Sequence, residues 1–241
     1  MTFVIPMAGE GSRFTHEGYT LPKYMIEVHG KTLFEYSLES LPIEIADKLI
    51  FICLKKHELN FNISKFINEK IDHPSVEIIF LDKITRGQAE TVYMVKDKID
   101  YDDELLIYNI DTYFKSSTLK HILLNAQQKK DGILGTFIDQ SDDEKWSFAQ
   151  INSQAIVTKT TEKDKISNFA LTGLYHFTKA SDFLNISKKW IEEGKTVRDE
   201  FYIAPMYNDL ISNGKQFVLD EVDEFIPLGT PSEVKQFESN N

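Results

Sequence analysis

The chain has 241 residues, 41% of them hydrophobic, and its 27 basic and 38 acidic side chains leave a formal charge of −11. That length buries a substantial core as one large domain or two small ones. The acidic balance argues against a broad nucleic-acid surface, so any polyanion has to be held by a local cationic pocket with a divalent metal. No linker, low-complexity tract or fixed-period repeat interrupts the pattern, which favours one domain; no basic leader or membrane-length apolar run is present, so the chain reads as soluble and cytoplasmic, with no membrane or nucleic-acid partner.

In chain order, apolar runs at Phe3–Met7, Leu49–Leu54, Val76–Leu81, Glu104–Ile110 and Ile133–Ile138 read as strands. Helical spacing around Leu33–Leu41, His57–Ile71, Ala89–Ile99 and Ser117–Lys129 alternates with them, the pattern of parallel strands joined by crossover helices. Shorter strands follow at Phe148–Ile151, Ala155–Lys159 and Leu171–Phe177, then helices at Ala180–Glu193 and Phe201–Asn213 and a last strand at Gln216–Leu219. The whole predicts one mixed sheet. The single cysteine, Cys53, lies inside an apolar run and reads as core packing. The six histidines show no metal spacing, which argues against zinc.

Ligands of an open α/β sheet bind beyond the carboxyl ends of its strands, so the loops there matter most. After the first strand comes Met7-Ala8-Gly9-Glu10-Gly11-Ser12-Arg13-Phe14, then Leu21-Pro22-Lys23. Two glycines let the backbone turn tightly and bring N–H groups to phosphate oxygens, while Arg13 adds a planar fork and Lys23 a point charge. The stretch lacks the G-K-[ST] of a P-loop and carries Phe14 where a dinucleotide fingerprint needs a small residue.

These residues resemble the N-terminal signature of the nucleotidylyltransferases that make activated sugars and related headgroups, G-x-G-[ST]-R-[LF] followed by a spaced P-K. The resemblance implies a single Rossmann-like domain of the GT-A type, with a central mixed, mostly parallel sheet flanked by helices. It implies that residues 1–140 carry the nucleotide and 141–241 the acceptor. Met7, Ala8, Gly9, Gly11, Ser12 and Arg13 would hold the nucleoside triphosphate, and Lys23 would sit near the phosphorus under attack.

The strand ending Tyr108-Asn109-Ile110-Asp111 delivers a carboxylate to the same mouth. Asp111 either caps the following turn or, beside a phosphate loop, seats Mg²⁺, which binds through one or two carboxylates plus phosphates and waters. The family pattern N-x-D fits Asn109-Ile110-Asp111 and implies Mg²⁺ on Asp111 and nucleotide contact by Asn109. A second carboxylate is expected from a late W-x-D-x-G-T segment, but here Pro227 occupies that place in Phe225-Ile226-Pro227-Leu228-Gly229-Thr230. Asp220, Asp223 and Glu224 are the nearby substitutes.

Thr85-Arg86-Gly87-Gln88 opens a helix beside the pocket, where the Gln88 amide offers a donor and an acceptor to a base edge. Thr161-Glu162-Lys163 followed by Gly173-Leu174-Tyr175 resembles the family's E-K and G-x-Y-x-F elements. That likeness implies acceptor contacts by Glu162, Lys163 and Gly173, with Lys163 on the acceptor phosphate, where a cation offsets repulsion between two polyanions. A similar E-F-Y-x-A-P stretch adds Glu200 and Tyr202 on the acceptor side, and Trp146 reads as a lid residue or a loop anchor. The expected reaction is Mg²⁺-dependent nucleotidyl transfer, with Arg13, Lys23 and Lys163 catalytic, from a nucleoside triphosphate, CTP first, to a phosphorylated small molecule. A hexose 1-phosphate is the family default; phosphocholine or phosphoglutamine suits a short chain of the surface-polysaccharide group. The alternatives are a glycosyltransferase of the same fold, disfavoured because Tyr113 breaks Asp-x-Asp, and a non-catalytic nucleotide sensor.

Overall fold

Strand β1 (Thr2–Pro6) forms the middle of the sheet, with Phe3, Val4 and Ile5 wholly buried and a parallel strand on either side. A strand apolar at consecutive positions needs cover on both faces, and crossover helices supply it. The computed structural model describes residues 1–239. After β1 the chain runs through helix α1 (Ser12–His16), a short hairpin of β2 (Glu27–Val28) and β3 (Lys31–Thr32), α2 (Leu33–Glu39) and β4 (Lys48–Leu54). Helices α3 (Lys55–Phe61) and α4 (Ile63–Lys70) lead to β5 (Val76–Leu81), and α5 (Gln88–Tyr93) leads to β6 (Leu105–Tyr108). Next come β7 (Thr112–Lys115), α6 (Leu119–Leu124), β8 (Gly132–Ile138), β9 (Ser147–Ile151), β10 (Val157–Glu162) and β11 (Phe169–Phe177). The chain closes with α7 (Ala180–Glu193), α8 (Tyr207–Ser212), β12 (Phe217–Glu221), β13 (Glu224–Pro227) and α9 (Pro231–Ser239).

The main sheet has the order β10-β9-β11-β6-β1-β4-β5, with β8 joining β11 to β12. Pairing is parallel from β6 through β5 and between β8 and β12, and antiparallel around β11. This is the expected mixed α/β sheet. Its two faces bury separate clusters: Val4 points into one with Ile107 and Phe177, while Phe3 and Ile5 point into the other with Phe34 and Phe51. Among the described residues, no helix is long and apolar enough to cross a membrane.

Several predicted elements are shorter than their periodicity. The helix expected over 57–71 breaks at Asn62, which takes a left-handed φ of 51° and starts a second helix. The strand expected over 104–110 ends at Tyr108, whose hydroxyl donates to the Thr112 carbonyl at 2.6 Å and closes a tight turn over Asn109–Asp111. Ala155, expected to start a strand, sits in the preceding turn at φ 59°, so β10 begins at Val157. Outside the sequence reading lie α1, the β2–β3 hairpin, β7, its antiparallel partner β13, and α9.

Candidate active site

Beyond the carboxyl ends of β1 and β6 the loops enclose a cleft of about 760 Å³. Its first wall is the turn after β1. Met7 and Ala8 are buried and fix the strand end, Gly9 is exposed, and Gly11 takes a left-handed φ of 63° just before α1. Phe14 is what anchors this turn: it is 2% exposed and packs among Ile26, Val28, Leu33 and Leu228, leaving Ser12 and Arg13 exposed at the mouth. Gly11 shapes the turn without lining the cleft, whereas Met7, Ala8, Gly9, Ser12 and Arg13 all line it.

Lys23 and Asp111, 88 positions apart in sequence, meet across the cleft floor, Lys23 Nζ donating to Asp111 Oδ2 at 2.7 Å. Burial works against ionisation of Asp111, but the charge and hydrogen bond of Lys23, with Arg13 adding to them, hold its carboxyl below the usual value. An ionised carboxylate facing the cleft beside a phosphate-type loop suits a hard cation such as Mg²⁺. The proposed substitutes for a second carboxylate are all engaged elsewhere. Asp220 is buried and accepts from Thr118 and Ser116 at 2.6 and 2.8 Å, Asp223 accepts from the Ser117 amide at 2.7 Å, and Glu224 pairs with Lys115 at 2.5 Å. Pro227 does come to the floor, opposite Thr112, and the next amide, Leu228, donates to the Asp111 carbonyl at 2.9 Å.

The second wall joins Gln88 to the sheet. Gln88 Nε2 donates to Asn109 Oδ1, and Asn109 lies against Gly173, where β11 bulges at φ 88°. A side chain at 173 would overlap the Asn109 amide, so the bulge makes room for it. Arg86 also lines the cleft, paired with Glu90 and stacked over Phe201 with its guanidinium 4.7 Å from the ring centre.

The third wall comes from the second half of the chain. Lys163, at a left-handed φ of 52°, donates from Nζ to the Tyr202 hydroxyl at 2.7 Å, and its carbonyl accepts from Arg198 at 2.9 Å. Glu162 is 9% exposed and accepts from the Ser147 hydroxyl; burial first, and then the charge of Glu200, push its carboxyl above the ordinary 4.5. Burial likewise raises the Tyr202 phenol, with Glu200 and Glu162 adding to it. Glu200 and Tyr202 follow a tight turn in which Val197 and Glu200 exchange both backbone hydrogen bonds and Arg198 and Asp199 both have positive φ, 48° and 65°. Trp146 is anchored by edge contacts to Phe137 and Phe225, which stack at 3.7 Å. Lys145, Ser147, Tyr175 and Glu233 also line the cleft. The sequence reading missed Lys145 because it sits in an acidic loop, and Glu233 because Thr230-x-x-Glu233 reads as a helix cap.

The nucleotidyl transferase family profile matches residues 3–220, so the chain belongs to that family and is a nucleotidyltransferase. It is 26% identical over 184 residues to the UTP–glucose-1-phosphate uridylyltransferase AglF of Haloferax volcanii, covering 75% of this chain and 73% of that one. Among solved structures it resembles a nucleoside-diphosphate-sugar pyrophosphorylase from Vibrio cholerae RC9, with a TM-score of 0.82, 34% identity and coverage of 99% and 100% of the two chains. The inositol-1-phosphate CTP transferase of T. maritima shares the fold, with a TM-score of 0.76 over 99% and 94% of the chains at 14% identity.

Proposed function

We propose that the protein transfers a nucleoside monophosphate from a nucleoside triphosphate to a phosphorylated small molecule, releasing pyrophosphate. The observation that carries this reading is one cleft lined by cations from both halves of the chain, Arg13 and Lys23 from the first and Lys163 from the second. Residues 1–140 then form the nucleotide half and 141–241 the acceptor half. An oxygen of the acceptor phosphate attacks the α-phosphorus in line, and the bond to the pyrophosphate oxygen breaks. The acceptor phosphate is already ionised near neutral pH, so positioning and charge neutralisation do most of the work. Arg13 and the turn of Gly9 and Ser12, shaped by Gly11, hold the triphosphate, Lys23 stands beside the reacting phosphorus, and Lys163 holds the acceptor phosphate. Asp111 holds Mg²⁺, which supplies a Lewis-acid charge on the phosphate oxygens.

CTP is the proposed donor. Gln88 gives an N–H to Asn109, which leaves its carbonyl oxygen to accept from an exocyclic amine such as that of cytosine. Glu162 and Glu200, set beside Tyr202, suit an acceptor that also bears an ammonium group, and phosphocholine and phosphoglutamine, the acceptors proposed for surface-polysaccharide synthesis, have that chemistry. Hexose 1-phosphates are the competing class. Pyrophosphate release with Mg²⁺, each of the four common nucleoside triphosphates and these acceptors tests the reading. One productive pairing establishes the reaction and names its substrates; release with no pairing, while nucleotide still binds, overturns this choice of acceptors.

A further inference from the structure

The cleft floor has a gap in its chemistry: one ionised carboxylate, Asp111, and a proline at the position where the family expects another. We propose that Glu233, in the first turn of α9, is the second carboxylate of the cation site. This rests on the reading of Asp111 as the first.

Three observations on different elements converge. Gly229 separates Asp111 from Glu233, and a methyl group at 229 would stand 3.5 Å from Asp111 Oδ2 and 3.7 Å from Glu233 Oε2. The missing side chain therefore leaves an open cradle bounded by oxygens of two carboxylates, and hard oxygens are what a small divalent cation takes. The Glu233 amide donates to Thr230 Oγ1 at 3.3 Å, but its carboxylate turns into the cleft and accepts from Lys145 Nζ at 3.2 Å. Each carboxylate of the pair is thus neutralised by a lysine, Asp111 by Lys23 and Glu233 by Lys145. A cation held by both carboxylates would compete with Lys145 for the Glu233 oxygens. The path of the chain explains how a helix residue replaces a strand residue. Pairing of β13 with β7 brings Pro227 opposite Thr112, the Leu228 amide holds the Asp111 carbonyl, and α9 begins four residues after Pro227 with its first turn over Asp111.

Mn²⁺ binding to the full chain, read from the EPR signal of free Mn²⁺ without any substrate, tests the assignment. Glu233→Gln removes the charge while keeping the side chain's size, and leaves in place the backbone amide that donates to Thr230 Oγ1. It is expected to weaken Mn²⁺ about tenfold or more, since even outer partners of a bound metal are worth that much, and Asp111→Asn is expected to do the same. Gly229→Ala, which leaves every charge in place, is expected to weaken it too by filling the cradle. Lys145→Ala is expected to tighten Mn²⁺ by removing the competing ammonium, a gain that no folding defect produces. Unchanged binding in Glu233→Gln with loss in Asp111→Asn overturns the role of Glu233 alone; unchanged binding in both overturns the cation site at Asp111 as well. A Lys145→Ala protein that binds no tighter than the parent overturns the pairing of Lys145 with a metal-binding carboxylate.

Discussion

Gly87 lies against the backbone of Phe201 so closely that a side chain at 87 would stand 2.6 Å from the Phe201 nitrogen and 2.7 Å from its oxygen. Two hydrogen bonds lock the contact, Phe201 donating to the Arg86 carbonyl at 2.8 Å and accepting from the Ala89 amide at 3.0 Å. The segment that presents Gln88 is thereby fastened to the one that presents Glu200 and Tyr202. Gly87→Ala combines this collision with a φ of 142°, and is expected to cost about 1–3 kcal/mol from the backbone alone. Urea unfolding measures the loss, and KM is expected to rise for both substrates, because neither segment can shift without the other.

Lys23→Ala removes the partner of Asp111 and the point charge at the glycine turn. Turnover is expected to fall about 10²- to 10³-fold, the size of effect typical of one group stabilising transition-state charge, while nucleotide affinity changes far less. Single-turnover kinetics beside equilibrium nucleotide binding separate the two; unchanged turnover contradicts the proposed role.

Acid is expected to destabilise the fold through His176 and Glu104. His176 is wholly buried with Nε2 3.0 Å from Glu104 Oε2, and burial lowers its pKa from the ordinary 6.5 despite that partner. Glu104 is lowered from 4.5, because hydrogen bonds from His176 and Lys129 outweigh its burial. Both folded-state values lie below the unfolded ones, so the unfolded chain binds more protons and stability falls as pH drops. The loss starts below 6.5 and grows again below 4.5, each proton contributing a slope of up to about 1.4 kcal/mol per pH unit. Melting temperature against pH should show this, and His176→Gln should flatten the upper part of the curve.

The turn at Arg198 and Asp199 carries two consecutive non-glycine residues at positive φ. Left-handed backbone costs an ordinary L-residue roughly 1–2 kcal/mol and Asp less, and glycine's extra freedom in the unfolded chain offsets part of the gain, so Asp199→Gly is expected to stabilise the protein by a few tenths of a kcal/mol. A higher urea midpoint with an unchanged slope is the expected result. A lower midpoint would mean that the Asp199 side chain matters more than its backbone.

Local chemistry made the first wall legible: a glycine turn, a basic fork and a phenylalanine anchor within a few positions need no long-range knowledge. Asp111 was legible for a similar reason, following an apolar strand; Lys163 follows the mostly polar Val157–Glu162 and was legible only through the likeness of Glu162-Lys163 and Gly173-Leu174-Tyr175 to the family's elements. The pairing of β7 with β13 was not, because neither four-residue strand has a periodicity and each is ordered only by the other, over a hundred positions away. Glu233 was hidden by ambiguity, since its spacing from Thr230 describes a helix cap equally well. The overlong helices failed for a third reason: the apolar spacing continues through Asn62, where the backbone reverses its hand.

The aromatic anchor of Trp146 makes the cleft observable by light. The chain has two tryptophans, and the other, Trp190, is 2% exposed with its indole N–H on Asp209 at 2.7 Å. Trp190 is therefore expected to contribute a steady background, while the emission of Trp146, which lines the cleft against Phe137 and Phe225 with Lys145 4.5 Å from its ring centre, is expected to change as the site fills. Titrating unlabelled substrates against that emission would rank them one after another before any product is known.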